Sequence, residues 1–150
     1  MGKDKKLDKY NSKRDENIFV VQEHHSSHLH YDFRLQMEGV LKSWAVPKGI
    51  SQEPSIRRLA VPTEDHPLGY ANFEGAIPEG EYGAGKVIIW DKGTYENLNA
   101  RQSIEESYKA GKLEVLLKGK KLKGGFALIR LKKNPKDKEA SWIIIKMKND

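Results

Sequence analysis

One short segment, residues 24–34, concentrates the side chains that could do chemistry and reads HHSSHLHYDFR. In a β-strand, residues two apart point the same way, roughly 7 Å apart at the Cα. His30 and Asp32 could therefore bind one ion between them, and Arg34 lies one step further on that face. His24, from the preceding strand or loop, would complete a set of two histidines and one carboxylate. Such a set leaves coordination positions open for water and substrate.

An ion beside an arginine is suited to phosphoryl transfer. The arginine fork matches phosphate oxygens, and a metal ion polarises a phosphoryl oxygen or makes a bound water more acidic. Both stabilise charge, which accounts for most of the catalysis of phosphoryl transfer. The alternative interpretation is that His30 and Asp32 form only the solvated face of an amphipathic strand.

Further along the chain, other polar residues give weaker signals. His66 stands ahead of a proline and could touch a phosphate or protonate a leaving oxygen, although a surface-loop histidine gives the same pattern. Arg57 and Arg58 could bind phosphates, but such a pair is usually solvated. Tyr70 is more often a packing residue than a catalytic one.

Composition narrows the possible functions. The 150 residues include no cysteine, which excludes disulfides, a thiolate metal site and a cysteine nucleophile. The net charge of +6 favours polyanionic partners. No apolar run approaches the ~20 residues that span a bilayer, and the N-terminus has no secretory signal, so we expect a cytoplasmic protein. The glycines at 80–85 match neither a P-loop nor a dinucleotide-binding fingerprint.

Periodicity predicts mostly short strands. Strict alternation over residues 29–37 indicates a strand with one apolar face. Ser103 and Glu106 have the spacing of a capping box, and Gly111 stands where a helix over 104–110 would end. Further strands are expected at 18–22, 41–46, 86–90, 93–96, 112–117, 125–131 and 142–147. This pattern favours a β-sandwich or barrel, preceded by a basic, flexible tail at residues 1–16.

Five motifs occur in order along the chain. They are H-x5-HYDFRL at 24–35, LKSWAVPKG at 41–49, RLAV at 58–61, EDHPLxY at 64–70 and FEGxIPxGxYGAG at 73–85. Together they resemble the 3′-phosphoesterase family, which forms the end-processing domain of bacterial DNA ligase D and also occurs as stand-alone proteins. The resemblance implies that residues 17–150 form one 3′-phosphoesterase domain. It implies a mainly β fold, a compact closed or nearly closed barrel of short antiparallel strands with one or two short helices, whose interior holds the site.

The resemblance also implies a ligand set and a substrate site. Manganese would be bound by the residues matching His24, His30 and Asp32, although this donor set suits other divalent transition metals too. The family interval to His30 selects His24 rather than His25 as the first ligand. Residues implied to contact the scissile phosphate or support catalysis are Arg34, His66, Lys48, Arg58, Glu64 and Tyr70, with Arg34, His66 and Arg58 binding substrate.

The activity implied is two-step healing of DNA or DNA–RNA 3′ ends that carry ribonucleotides. The family removes a terminal nucleoside to leave a 3′-phosphate, then removes the phosphate to leave a 3′-OH for nonhomologous end joining. We therefore expect a nucleoid-associated monomer with no membrane partner, which acts beside a ligase or polymerase supplied in trans. The alternative is a non-catalytic module that binds nucleic-acid ends.

The N-terminal segment departs from the family pattern. Arg14 and Asp15 match an Arg-Asp pair of ligase D, but the Thr-Pro-Glu-Pro-like run that follows it there is missing here. Arg14 is accordingly a weaker candidate for substrate binding. The missing run bears on the nucleoside-removing step in particular.

Overall fold

The computed structural model describes residues 17–148. The tail predicted at residues 1–16, and Arg14 within it, lie outside the described residues. In chain order the strands are β1 (Asn17–His25), β2 (Leu29–Met37), β3 (Val40–Val46), β4 (Arg57–Pro67), β5 (Gly75–Ile77), β6 (Gly85–Asn97), β7 (Lys112–Lys118), β8 (Lys123–Arg130) and β9 (Trp142–Lys146). A 3-10 helix (Leu68–Asn72) follows β4, and the helix α1 (Ile104–Ala110) follows β6.

Eight antiparallel strands close into a barrel. Their order is β1-β2-β3-β4-β9-β8-β7-β6, and β6 pairs back onto β1 to complete the ring. The short β5 pairs with β6 outside the ring. The mainly β, closed-barrel prediction is therefore confirmed. Within residues 17–148, neither helix has the length and hydrophobicity needed to cross a membrane.

The barrel interior is a packed apolar core. Every strand of the ring contributes to it, and its largest fully buried side chains include Phe19, Phe33, Trp44, Tyr95 and Phe126. An eight-stranded barrel is just wide enough for side chains to fill it. Since successive residues of a strand face opposite sides, Asp32 and Arg34 point away from this core. The expectation that the interior holds the site is wrong, because large side chains fill the interior and the polar residues lie on the outer face.

Helix α1 begins and ends as its sequence predicts. The Ser103 hydroxyl accepts a hydrogen bond from the Glu106 amide, and the Glu106 carboxylate accepts one from the Ser103 amide. Gly111 ends the helix at φ 86°, a left-handed conformation that glycine adopts without steric cost. Local capping therefore defines both ends.

Two regions differ from the expected pattern. Residues 57–67 form β4 although Pro62 and Pro67 interrupt that stretch. The strands expected at 86–90 and 93–96 are one continuous strand, β6, whose register to β1 shifts at a bulge between Val21 and Gln22. A bulge bends a strand and increases its twist, which allows this long strand to pair with both β1 and β7.

Candidate metal and phosphate site

The pairing of β1 with β2 brings the predicted ligands together. His24 lies directly opposite His30, and Gln22 lies opposite Asp32. Residues paired across antiparallel strands point to the same face. The two imidazole rings are 4.7 Å apart between centroids in an edge-on arrangement. A hairpin between the two strands therefore forms the proposed ligand set.

The donor atoms have spacings that suit one small cation. His30 Nε2 lies 3.3 Å from Asp32 Oδ1, and His24 Nδ1 lies 3.5 Å from Asp32 Oδ2. One donor atom from each residue lies within 4.8 Å of the others. Bonds of about 2.1 Å in a tetrahedral site separate neighbouring ligand atoms by about 3.4 Å. The residues thus fit a divalent transition metal.

Both rings are oriented by backbone carbonyls. His24 Nε2 lies 2.8 Å from the Gly83 oxygen, and His30 Nδ1 lies 3.2 Å from the His28 oxygen. A carbonyl only accepts, so these ring nitrogens carry the hydrogens. In the neutral rings, the other two nitrogens then direct lone pairs towards the Asp32 carboxylate. Lone pairs that face a carboxylate are favourable only with a cation between the ring nitrogens and the carboxylate oxygens. Metal-binding histidines commonly donate their other ring N–H to a carbonyl, as both rings do here.

Without a metal, a proton serves as that cation. The hydrogen bond with Asp32 raises the pKa of His30 against the effect of burial. Burial opposes ionisation of Asp32, yet the hydrogen bond from His30 and the charge of Arg34 hold the pKa of that carboxyl below its usual value. The carboxylate is therefore ionised and ready to act as a ligand.

Arg34 is buried beside the ligand set and held from several sides. Its Nε donates to Gln22 Oε1 at 2.6 Å, and its Nη1 donates to Ser43 Oγ at 2.9 Å. Nη1 also donates to His66 Nδ1 at 3.1 Å, while Nη2 lies 3.4 Å from Asp32 Oδ2. A guanidinium has five N–H donors. The three hydrogen bonds use the N–H of Nε and both N–H groups of Nη1, and the ion pair with Asp32 leaves at least one N–H of Nη2 for a ligand.

His66 presents its second nitrogen to the pocket. Its Nδ1 lies 3.1 Å from both Arg34 Nη1 and the Glu64 carbonyl oxygen. The guanidinium only donates and the carbonyl only accepts, so Nδ1 can make a hydrogen bond with one of them. A hydrogen bond from a charged donor is the stronger of the two, which assigns the lone pair to Nδ1 and the proton to Nε2. Burial, followed by the charge of Arg34, lowers the pKa of His66. His66 is thus a neutral Nε2–H donor.

Tyr70 forms a wall of the same pocket. Its ring stacks on Phe73 with centroids 5.0 Å apart and contacts the His66 ring at 4.5 Å. The guanidinium carbon of Arg34 lies 5.0 Å from the Tyr70 centroid, a cation–π distance. Gln22 ties this wall to β1 by donating to the backbone oxygens of Tyr70 and Phe73. The 3-10 helix therefore packs the aromatic wall against the arginine.

Most of these functional side chains line one pocket of about 470 Å³. Within it lie the predicted residues His24, His30, Asp32, Arg34, His66 and Tyr70. The ligand set, the phosphate-binding candidates and the aromatic wall therefore share one cavity. This is large enough for a nucleotide-sized ligand.

Comparison with known proteins gives the family. Residues 22–130 match the family described as the DNA ligase D 3′-phosphoesterase domain. The chain belongs to this family. It is 50% identical over 132 residues to the multifunctional non-homologous end joining protein LigD of Pseudomonas aeruginosa, and 50% identical over 135 residues to that of Mycobacterium bovis. These alignments cover 87% and 90% of this chain but 15% and 16% of the relatives, so the chain spans about a sixth of their length.

Not every residue that the 3′-phosphoesterase resemblance implies lies in this pocket. Lys48 and Arg58 line a separate cleft of about 270 Å³, and Arg58 Nη1 donates to the backbone oxygens of Lys48 and Gly49. Glu64 is exposed at the pocket mouth. Burial of the Tyr82 hydroxyl, followed by the charge of Glu64 and a hydrogen bond with it, raises the pKa of Tyr82. The roles assigned to these residues stay predictions.

Sequence reasoning missed several residues in and around this pocket. Gln22 and Ser43 hold Arg34, and strand alternation could have revealed Gln22, two positions before His24. Tyr82 stands 78% exposed at the pocket rim. Thr63 lines the pocket with a buried hydroxyl that has no hydrogen-bond partner among residues 17–148. No local signal indicates Thr63, because its position follows from the pairing of β4 with β3.

Proposed function

We propose that this chain is a metal-dependent phosphoesterase that heals the 3′ ends of DNA or DNA–RNA strands. It would act as a 3′-ribonucleoside phosphodiesterase and as a 3′-phosphomonoesterase, leaving a 3′-OH. The observation that carries the proposal is the orientation of His24 and His30, whose lone pairs converge on Asp32 beside Arg34. Membership of the DNA ligase D 3′-phosphoesterase family supports end processing.

The product suits a repair pathway. Relatives are named multifunctional non-homologous end joining proteins, and a ligase needs a 3′-OH. We propose that a ligase or polymerase partner uses the end that this chain produces.

His24, His30 and Asp32 would hold the metal, and manganese is the proposed ion. Two imidazole nitrogens and one carboxylate suit manganese, iron or zinc. When bound, the ion would polarise a phosphoryl oxygen and make a water molecule more acidic. A purely anion-binding module would not need this donor set.

Arg34 and His66 would stabilise the reacting phosphate. The remaining N–H of Arg34 Nη2 and the Nε2–H of His66 both stand in the pocket that the ligands line. Donors held in place by other contacts need no reorganisation as charge builds on the phosphate oxygens. The lowered pKa of His66 favours the neutral ring, which would donate a hydrogen bond to a phosphate oxygen.

The two steps use the same phosphorus. In the first, a water oxygen bonds to phosphorus, the bond to the terminal nucleoside's 5′-oxygen breaks, and that oxygen gains a proton. The 3′-phosphate that remains is the substrate of the second step. There, a second water bonds to phosphorus and the 3′-oxygen leaves as the hydroxyl.

The test is a labelled primer–template that ends in one ribonucleotide, incubated with the protein and manganese, with and without chelator. We expect metal-dependent shortening through a 3′-phosphate to a 3′-OH. Asp32→Asn and His24→Ala should abolish both steps. The matched control is His25→Ala, which removes the adjacent imidazole, since His25 contacts Glu23 and not Asp32.

Each outcome is decisive. Turnover by Asp32→Asn at near-native rates would refute the metal assignment. Removal of a pre-formed 3′-phosphate alone would refute the diesterase step and direct attention to the missing N-terminal run. Tight binding without either reaction would replace catalysis by the end-binding function.

A further inference from the structure

A second cleft is strongly basic. It is lined by Pro47, Lys48, Arg57, Arg58 and Leu59, and it has a volume of about 270 Å³. Three of these five residues are cationic. The side chains of Lys48 and Arg57 are exposed, and neither pairs with an acidic side chain anywhere in residues 17–148. The cleft thus gathers positive charge that the described part of the fold does not neutralise.

Hydrogen bonds and backbone conformation fix the shape of this cleft. Arg58 donates to the backbone oxygens of Lys48 and Gly49, which fixes the loop that carries Lys48. Gly49 has a φ of 81°, and a Cβ there would lie 3.2 Å from the Tyr31 ring. The loop is therefore pressed onto the barrel in a conformation that favours glycine. Like charges held together in this way repel each other unless an anion binds between them.

The cleft adjoins the metal and phosphate pocket along β3. Ala45 lines that pocket and lies opposite Asp32, while Pro47, two residues later, lines the basic cleft. Two residues of extended chain advance roughly 7 Å, so the walls of the two sites meet along this strand. One nucleic-acid strand can therefore reach both sites.

We propose that Lys48, Arg57 and Arg58 bind a non-scissile backbone phosphate of the substrate strand, on the 5′ side of the reacting one. The polarity rests on the proposed function, because an enzyme that acts on a 3′ end has at most one nucleotide beyond the scissile phosphate. A backbone phosphate bound in the neighbouring cleft must then be upstream. Lys48 and Arg58 would hold the strand instead of touching the reacting phosphate, as phosphate contacts position a nucleic acid without reading its sequence.

The first test uses Arg57→Gln, since the Arg57 side chain is exposed and the variant should fold normally. Substrates are a deoxynucleoside 3′-phosphate, which has no backbone phosphate, and a 3′-phosphate DNA strand of twelve nucleotides. We expect KM for the longer strand to rise about tenfold, as for loss of one charge-assisted hydrogen bond, with kcat and the mononucleotide unaffected. The slope of log KM against log salt should fall by about 0.7. The control is Arg101→Gln, which removes an exposed charge beyond the far end of β6.

The second test neutralises the substrate instead of the protein. A single uncharged methylphosphonate is moved along the strand, and one upstream position should raise KM about tenfold for the native protein but little for Arg57→Gln. Equal effects of Arg57→Gln and Arg101→Gln, or a methylphosphonate effect at no upstream position, would overturn the proposal. If no substrate is turned over, the proposed function fails, and binding of the same strands measured by fluorescence anisotropy still decides on the cleft.

Discussion

His24 Nε2 lies 2.8 Å from the carbonyl oxygen of Gly83, a residue 59 positions further along the chain. This contact fixes which nitrogen of His24 faces Asp32. Gly83 has a φ of 77°, and a Cβ there would meet only ordinary contacts, with Ile77 Cδ1 at 3.7 Å and His24 Cε1 at 3.9 Å. The glycine is thus required for its backbone conformation rather than for space.

We expect Gly83→Ala to weaken metal binding. An alanine disfavours this φ, so the carbonyl would turn away from His24 and release the ring. Loss of the hydrogen-bond partner of a metal-binding histidine typically lowers metal affinity about 10- to 100-fold. Isothermal titration calorimetry with Mn²⁺ would measure this loss. Gly80→Ala is the control, because Gly80 has a φ of 90° and nothing within 4 Å of an added Cβ. An equal effect of both changes would show general loop strain instead.

Arg34→Lys should separate catalysis from metal binding. A lysine has one nitrogen and cannot donate to Gln22, Ser43 and His66 from the positions that the guanidinium uses. We expect kcat to fall about 10²- to 10³-fold, the range for loss of a transition-state donor, while Mn²⁺ affinity stays within a few-fold. Single-turnover rates and calorimetry would measure the two. A kcat within fivefold of native would contradict the role of Arg34.

His66 should make the metal-free protein less stable in acid. Its pKa is lowered in the folded state by burial and by Arg34, so the unfolded chain takes up a proton first as pH falls through about 6.5. As the pH falls further, the free energy of unfolding decreases, and this loss ends only below the pKa that His66 has in the folded protein. Urea unfolding at pH 7.5 and 5.5, in chelator, should show a larger loss for the native protein than for His66→Asn. Equal losses would contradict the shift.

Asp91 should be a stability residue with no part in metal binding. Its buried carboxylate accepts hydrogen bonds from the backbone amides of Lys120, Lys121 and Leu122, at 2.8 to 3.1 Å. We expect Asp91→Ala to lower the free energy of unfolding by about 2–4 kcal/mol, since buried donors lose a charged acceptor. Asp91→Asn should cost less because it keeps one oxygen. A loss below about 1 kcal/mol in urea unfolding would contradict this, as would a change in Mn²⁺ affinity.

Local signals in the sequence determined several elements. Strict alternation gave β2 its bounds of Leu29–Met37, and a capping box with a left-handed glycine gave α1 its bounds of Ile104–Ala110. These signals are reliable because they involve neighbours along the chain. The spacing of His30, Asp32 and Arg34 likewise placed them on one face, as a two-residue period requires.

Strand β4 was hidden from such local reasoning. Its prolines interrupt the pattern, and proline cannot donate to a neighbouring strand. In the fold, registered pairing with β9 ends at Ala60, and β3 pairs with the remainder from Val61 to Pro67. Pro62 lies beyond the residues that pair with β9, so its missing N–H leaves no acceptor of β9 without a donor. Only the arrangement of three strands makes this stretch a strand.

The sequence by itself determined the two faces of β2 and the chemistry of one of them, but only the tertiary structure shows that the polar face is buried too. Phe33 is 0% exposed and Arg34 is 3% exposed, although hydropathy alone would place Arg34 in solvent. Closure of β6 onto β1 puts the aromatic face in the barrel. The partners that orient the site, such as Gly83 on His24, come from distant segments, and so does the separation of Lys48 and Arg58 from the metal ligands. These relationships depend on strand pairing across the whole ring, which no local pattern encodes.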